Sequence, residues 1–229
     1  MPEDIKEKVN QLLKETNKEE IAKKLQDIND LFLTEYKLKV DNTEIIPLET
    51  EIYYYNENKI FEDNMIHKNE LQESRFGQLY FHRKGFSKNN EIILFPRGGV
   101  DICISDNNYY LSILLRSVIK TQDGIENFIS GPGKIQQIFY KGFNNEEIRK
   151  GLKELENKKE IIIKRNRKVN IANVYHQKRI QGENYKKGEN YELNSLNLGQ
   201  EFEYLKKMIE SKQCFYSKHG KEIEGNYGK

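Results

Sequence analysis

Between Leu48 and Tyr55 the chain reads Leu-Glu-Thr-Glu-Ile-Tyr-Tyr-Tyr. Thr, Ile and Tyr favour a pleated surface, and the turn-rich run Asn56-Glu57-Asn58-Lys59 follows, so the stretch is expected to be a β-strand. Alternate side chains of a strand share a face. Glu49, Glu51, Tyr53 and Tyr55 therefore fall on one side, and Leu48, Thr50, Ile52 and Tyr54 on the other. Two carboxylates and two phenol rings build a poor core. They suit a pocket in which a carboxylate takes or gives a proton beside flat aromatic walls.

Further polar residues could join such a pocket. Val100 to Ser105 alternates in the same way, with Asp101, Cys103 and Ser105 opposite Val100, Ile102 and Ile104. His82 and Arg83 follow the aromatic strand Gly77 to His82, where the pair is either a strand-end ion pair or a phosphate contact. His67 lies in a weakly periodic stretch, 56–76, read as a long irregular loop. Arg116 sits near the polar end of the Leu- and Ile-rich strand Tyr109 to Lys120 and is also a plausible buried ion-pair partner. Cys103 and Cys214 are far apart and lack metal-ligand spacing, so no metal and no disulfide is expected.

The elements that must carry these residues are visible as periodicities. Ile5, Val9, Leu12 and Leu13 form one helical stripe, and Ile21, Leu25, Ile28 and Phe32 a second, with a capping box expected over Thr16 to Glu19. Lys37 to Val40 and Glu44 to Tyr55 read as a hairpin about Asp41-Asn42. A polar excursion from Arg83 to Asn90 precedes a short strand, Glu91 to Phe95, and a turn at Pro96 to Gly99. Gly131-Pro132-Gly133-Lys134 is a second turn, Asn145 to Leu155 a helix, and Glu160 to Lys164 and Val169 to Tyr175 late strands. Strands joined by short turns without a βαβ rhythm predict an α+β fold: one domain, with a curled, mainly antiparallel sheet forming a partial barrel flanked by helices. Residues 1–40 are expected to hold helices packed on a core spanning 41–216, with 217–229 a disordered tail.

The chain has 229 residues, long enough to bury roughly 70% of its unfolded surface. Its hydrophobic fraction is 36% and its charged fraction 32%, with 14 Tyr, 11 Phe and no Trp, so aromatic rings must supply much of the packing. No apolar run approaches the roughly 18 residues of a membrane span, and no signal peptide is visible, so a cytoplasmic protein is expected, or a nuclear one in a eukaryote. Charge is uneven. Residues 1–70 hold 10 Lys and Arg against 17 Asp and Glu, whereas 158–187 hold 10 against only Glu160 and Glu183. The second stretch is either a solvated basic loop or a face suited to a polyanion.

Several pieces stand in a recognisable order: Ile21-Ala22-Lys23-Lys24-Leu25, Glu49-Thr50-Glu51-Ile52-Tyr53, His67, Leu79-Tyr80, a strand ending Ile104-Ser105, Leu114-Leu115-Arg116 and Gly131-Pro132-Gly133-Lys134. Over residues 21–140 this resembles the alkyladenine (3-methyladenine) DNA glycosylase family, which has an opening helix, an E-T-E-A-Y strand, a downstream His, an L-Y strand, an N-I-S strand, an L-L-R segment and a G-P-x-K turn. The resemblance implies that Glu51 is the general base that activates water. It implies that Tyr53 stacks on a base flipped out of DNA, that His67 matches the pocket His, and that Arg116 lies near the flipped nucleotide. It also implies base excision repair in a single domain without metal or organic cofactor. The chain departs from the pattern in four places. Between Glu51 and His67 it runs about five residues longer than the family. Phe81-His82-Arg83 and an insertion to Gly98 stand where the family carries stacking and wedging aromatics. Cys103 replaces the Asn of N-I-S, although Asp101 on the same face offers similar polar chemistry. No segment matches the family's Trp-bearing C-terminus.

The expectation is therefore a monomeric, monofunctional glycosylase acting on a damaged or alkylated base in duplex DNA. Glu51 is catalytic; Tyr53, His67, His82, Asp101 and Cys103 line the base pocket. Arg83, Arg116, Lys134, Lys164, Arg165, Arg167 and Lys168 face DNA. The rival reading is a nucleic-acid or nucleobase-binding module without catalysis on the same scaffold.

Overall fold

Helix α1 (Glu3–Leu12) opens the chain in the computed structural model, which describes residues 1–57, 60–61, 63, 65–66, 72–73, 75–86, 92–94, 98–106, 108–139, 152, 154–165, 174–177, 191 and 193–197. Its buried residues Ile5, Val9 and Leu12 recur at helical spacing, and Glu3 and Asp4 occupy the electropositive first turn. Helix α2 (Lys18–Glu35) buries the expected stripe Ile21, Leu25, Ile28 and Phe32. Its cap lies one residue later than the capping-box spacing predicts. Asn17 is the N-cap, its side chain accepting the Glu20 N–H at 3.0 Å, because an amide oxygen at that position already satisfies the orphan donor.

From α2 the chain passes straight into β1 (Tyr36–Val40), turns at Asp41 with φ of 53°, and returns as β2 (Thr43–Asn56). The remaining described elements are β3 (Gln78–Phe81), β4 (Arg83–Phe86), β5 (Ile92–Leu94), β6 (Val100–Cys103), β7 (Tyr109–Gln122), β8 (Ile125–Ser130), α3 (Pro132–Ile138), β9 (Ile162–Lys164), β10 (Val174–Gln177) and β11 (Asn194–Asn197). Every ladder among the described residues is antiparallel. Strands β2 and β7, of 14 residues each, pair along their whole length and form the spine.

Both spine strands change their outer neighbour halfway. β2 is flanked by β1 at Thr43–Ile45 and by β11 at Glu49–Glu51; β7 is flanked by β8 at Ser117–Gln122 and by β6 at Ser112–Leu114, with β3 beyond β6. The switch coincides with two compensating bulges. The ladder passes from Pro47 opposite Val118 to Glu49 opposite Ser117, and then to Thr50 opposite Leu115, so Leu48 and Arg116 are the extra residues. A bulge strengthens local twist and bends its strand, which curls the sheet into a half-barrel. It also inverts the alternation. Ile45 before the β2 bulge and Ile52 and Tyr54 after it all enter one hydrophobic cluster, as do Leu111, Ile113 and Leu115 before the β7 bulge and Val118 after it.

That cluster joins the sheet to α1 and α2, with Thr50 Oγ1 donating to Asn29 Oδ1 of α2 at 2.9 Å across the interface. The fold is thus α+β, with one core shared by the helices and the half-barrel, and residues 36–40 belong to the sheet. Residues 83–86 of the Arg83–Asn90 excursion form β4, which pairs with β5 as a separate two-stranded ribbon, and 87–90 lie outside the described residues. The expected turn at Gly131 instead starts α3, because Gly131 adopts φ of 102° and Pro132 stands at the first helical turn, where its fixed φ is already helical. Of the helix expected over 145–155, residues 152 and 154–157 are helical and 145–151 lie outside the described residues, as does the tail at 217–229. Among the described residues no helix is long and apolar enough to cross a membrane.

Candidate functional site

The β2 bulge fixes which way the two carboxylates point. With Thr50, Ile52 and Tyr54 turned toward the core and α2, Glu49, Glu51 and Tyr53 face the opposite side of the sheet. Glu51 is only 3% exposed, yet nothing around it is a surface salt link. The Tyr53 hydroxyl donates to its Oε2 at 2.6 Å, Asn194 Nδ2 donates to its Oε1 at 3.2 Å, and Arg116 lies 3.2 Å from the same Oε1. Glu49 is fully buried beside it. It accepts from Ser117 Oγ at 3.0 Å and from the same Asn194 amide at 3.2 Å, and Arg116 Nε lies 3.8 Å away. One guanidinium therefore serves two buried carboxylates, and neutral donors supply the rest of their solvation.

Apolar and aromatic groups continue this face. Tyr53, Ile66 and Leu114 form a small cluster with Tyr55, Met65 and Tyr110 packed against it; the Tyr55 and Tyr110 rings are 6.2 Å apart and tilted by 47°. Asp63, which accepts the backbone N–H groups of Tyr54 and Met65, ties this stretch of the 56–76 loop to the strand.

The second polar group lies across the sheet. Glu51 is opposite Leu114, which is opposite Asp101, which is opposite Tyr80, so all four share one row. Two strand spacings place Asp101 about 10 Å from Glu51. His82 Nε2 is 2.8 Å from Asp101 Oδ1, and Ser112 Oγ donates to Oδ2 at 3.0 Å. The serine thus bonds the carboxylate and not the imidazole, which is the wrong connectivity for a nucleophilic triad. The His82 ring rests 5.9 Å from that of Tyr80. Cys103 is on the same face but fully buried, and burial, with Asp101 nearby, pushes its thiol well up, so it is a neutral lining group and not a nucleophile.

Two glycines let the chain close over this corner. A Cβ on Gly99 would meet Leu114 Cδ1 at 2.6 Å, and one on Gly98 would meet Gln136 Oε1 at 2.8 Å and His82 Cβ at 3.2 Å. The Gly99 carbonyl accepts the His82 N–H at 2.9 Å.

Glu51, Tyr53, His82, Asp101, Cys103 and Arg116 thus stand on one face of the sheet. The cationic set divides. Burial takes Arg83 and Arg165 out of the surface role expected of them. Arg83 is paired with Glu156 and donates to the Phe81 carbonyl at 2.9 Å; Arg165 donates to the carbonyls of Tyr36 at 2.7 Å and Pro47 at 2.9 Å. Desolvation lowers both guanidinium groups to about 10, which leaves them charged at neutral pH. Lys134 is exposed on α3, and Lys164 is exposed with its ammonium 3.2 Å from Asp4. His67, Arg167 and Lys168 lie outside the described residues.

Sequence reasoning missed Asn194, Ser112 and Ser117. Ser112 and Ser117 lie in an apolar strand where small hydroxyls carry no local signal, and Asn194 lies in a polar stretch far down the chain whose pairing to β2 is purely tertiary. No protein-family model matches this chain, and no curated protein matches it either.

Proposed function

We propose that this protein is a monofunctional DNA glycosylase that hydrolyses the N-glycosidic bond of a damaged or alkylated base turned out of the duplex. The observation that carries the reading is the Glu51 carboxylate: buried, bound by three side chains from three strands, and set beside aromatic rings on one face of the sheet. The ordered motifs that resemble the alkyladenine DNA glycosylases give the same residue the same role.

In this reading Glu51 accepts a proton from water as the water oxygen bonds to the sugar C1′. The C1′–N bond breaks, its electron pair leaves with the base, and the products are a free base and an abasic sugar. The transition state is cationic at the sugar, so a fixed carboxylate also stabilises developing charge. Tyr53, Tyr55 and Tyr110 provide flat walls, and His82, held by Asp101, offers an edge contact to the base. Water attacks directly, so no lysine Schiff base forms and the strand is not nicked.

The test is Glu51→Gln assayed on duplexes with alkylated, deaminated and undamaged bases. Duplex affinity is expected to stay while base release falls by about 10²–10⁴-fold; wild-type release rates would overturn the assignment. The rival is a nucleic-acid or nucleobase-binding module on the same scaffold; with Arg83 and Arg165 inside the protein, either reading must draw its phosphate contacts from other cations. The binding module is selected if the wild-type protein binds the duplexes in a salt-sensitive manner but yields no abasic site.

A further inference from the structure

Asn194 comes from the last described strand, yet it occupies the centre of the carboxylate network. It stands opposite Glu51 in the β11–β2 ladder, is fully buried, and its amide Nδ2 lies 3.2 Å from Oε1 of both Glu49 and Glu51. Carboxylates accept and do not donate, so the orientation of this amide is fixed by its neighbours: the NH₂ must face the two acids. Oδ1 is then forced to the other side. There it is buried and has no hydrogen-bond partner among the described residues. A buried acceptor without a donor costs about 1–3 kcal/mol, so such an atom marks a place where a donor is to be received.

Glu51 points to the same donor. Its Oε1 takes Asn194 and Arg116, and its Oε2 takes Tyr53. A carboxylate offers about four lone-pair positions, so one remains on Oε2. Two acceptors in one buried network suit a molecule that donates twice.

We propose that Asn194 is a catalytic residue that holds the attacking water: the water gives one hydrogen to Glu51 and the other to Asn194 Oδ1. Its oxygen lone pair is thereby turned toward the sugar carbon. The proton passes to Glu51 as the new C–O bond forms, and Asn194 changes neither charge nor protonation. The NH₂ group meanwhile holds both acids in place, alongside Arg116, Tyr53 and Ser117.

The back of β11 shows why the amide is held firmly enough for this. Ser195 points to the opposite face and donates to Asp30 of α2 at 3.1 Å, and His176 of β10 lies 2.9 Å from the same carboxylate. The strand is thus clamped to α2 on one side while its neighbouring residue reaches Glu51 on the other. Such support from behind is what keeps a reacting group within the narrow geometry that catalysis needs.

The inference rests on the glycosylase reading, and the experiment separates the two. Wild-type protein, Asn194→Ala and Asn194→Gln, whose amide sits one methylene further out, are compared on alkylated and deaminated duplexes under single-turnover conditions, with duplex affinity and melting temperature measured in parallel. Both variants are expected to bind duplex as the wild type does and to release base about 10²-fold more slowly, the scale seen when one positioned polar group is removed. If the wild type releases base and both variants match it, Asn194 has no such role and the glycosylase reading stands. If slower release merely tracks a lower folded fraction, Asn194 is only a structural link. If the wild type releases no base, the function and this inference fall together.

Discussion

Two buried ionic groups in this protein are mirror images in charge and differ in what holds them. Around Glu51, two carboxylates share one guanidinium, Arg116; around Glu156, two guanidiniums, Arg75 and Arg83, share one carboxylate. The Glu156 group is bonded to main chain. Glu156 Oε1 accepts the Phe81 N–H at 3.0 Å and Arg83 Nε donates to the Phe81 carbonyl, so helical residues 154–157 are fastened to the end of β3. Every described contact of the Glu51 carboxylate is with a side chain: Tyr53, Asn194 and Arg116. Backbone bonds make the Glu156 group part of the closure of the fold, whereas in the proposed reading side chains of three strands hold the Glu51 carboxylate toward the substrate.

This contrast can be broken by exchange. Glu156→Ala strands a buried arginine and is expected to cost about 3–5 kcal/mol of stability, read as a lower denaturant midpoint at unchanged slope. Base release per folded molecule should not change; a variant that stays stable but inactive would place Glu156 in the functional network instead. Glu51→Gln should do the reverse, with activity lost and stability moved far less.

Gly99 sits where the two regions approach each other, between Leu114 and His82. Gly99→Ala forces a Cβ to within 2.6 Å of Leu114 Cδ1, and the repacking should cost about 1–3 kcal/mol. If the corner belongs to the site, activity falls with it; a stability loss without an activity loss would assign Gly99 to packing only.

The smallest effect lies on the scaffold side, at Tyr36. Burial, reinforced by the Asp4 carboxylate that its phenol contacts at 2.5 Å, raises its pKa above the usual tyrosine range. The unfolded phenol therefore releases its proton first, near pH 10, and the stability contributed by the neutral folded phenol is complete below that pH and declines as pH rises beyond it. Tyr36→Phe should flatten the alkaline fall in stability between about pH 10 and 11, measured by denaturant midpoints; an unchanged slope would place that fall elsewhere, for instance at buried Tyr109, which is raised in the same way.

The expected strand and its two faces were legible because the period of a strand is two and because Thr, Ile and Tyr select it. Which face met the helices was also legible from Ile52 and Tyr54. The bulges at Leu48 and Arg116 were not, since an inserted residue in one strand is defined by its partner and leaves no local pattern. Arg83 and Arg165 read as surface cations for a related reason. Their partners, Glu156 and the Tyr36 and Pro47 carbonyls, are separated from them by 73, 129 and 118 residues. β8 and β11 escaped notice because Ile125–Ser130 is largely exposed and Asn194–Asn197 is polar, so pairing and not composition makes them strands.

By itself the sequence determined the helix stripes, the main strands, the α+β class and the row of Glu49, Glu51 and Tyr53, because short-range periodicity dictates all of these. Only the tertiary structure decided that Arg116 and Asn194 meet at Glu51 and that two arginines turn inward. Those outcomes depend on ladder register and burial between segments more than 60 residues apart, and a buried charge chooses its partner by distance in space.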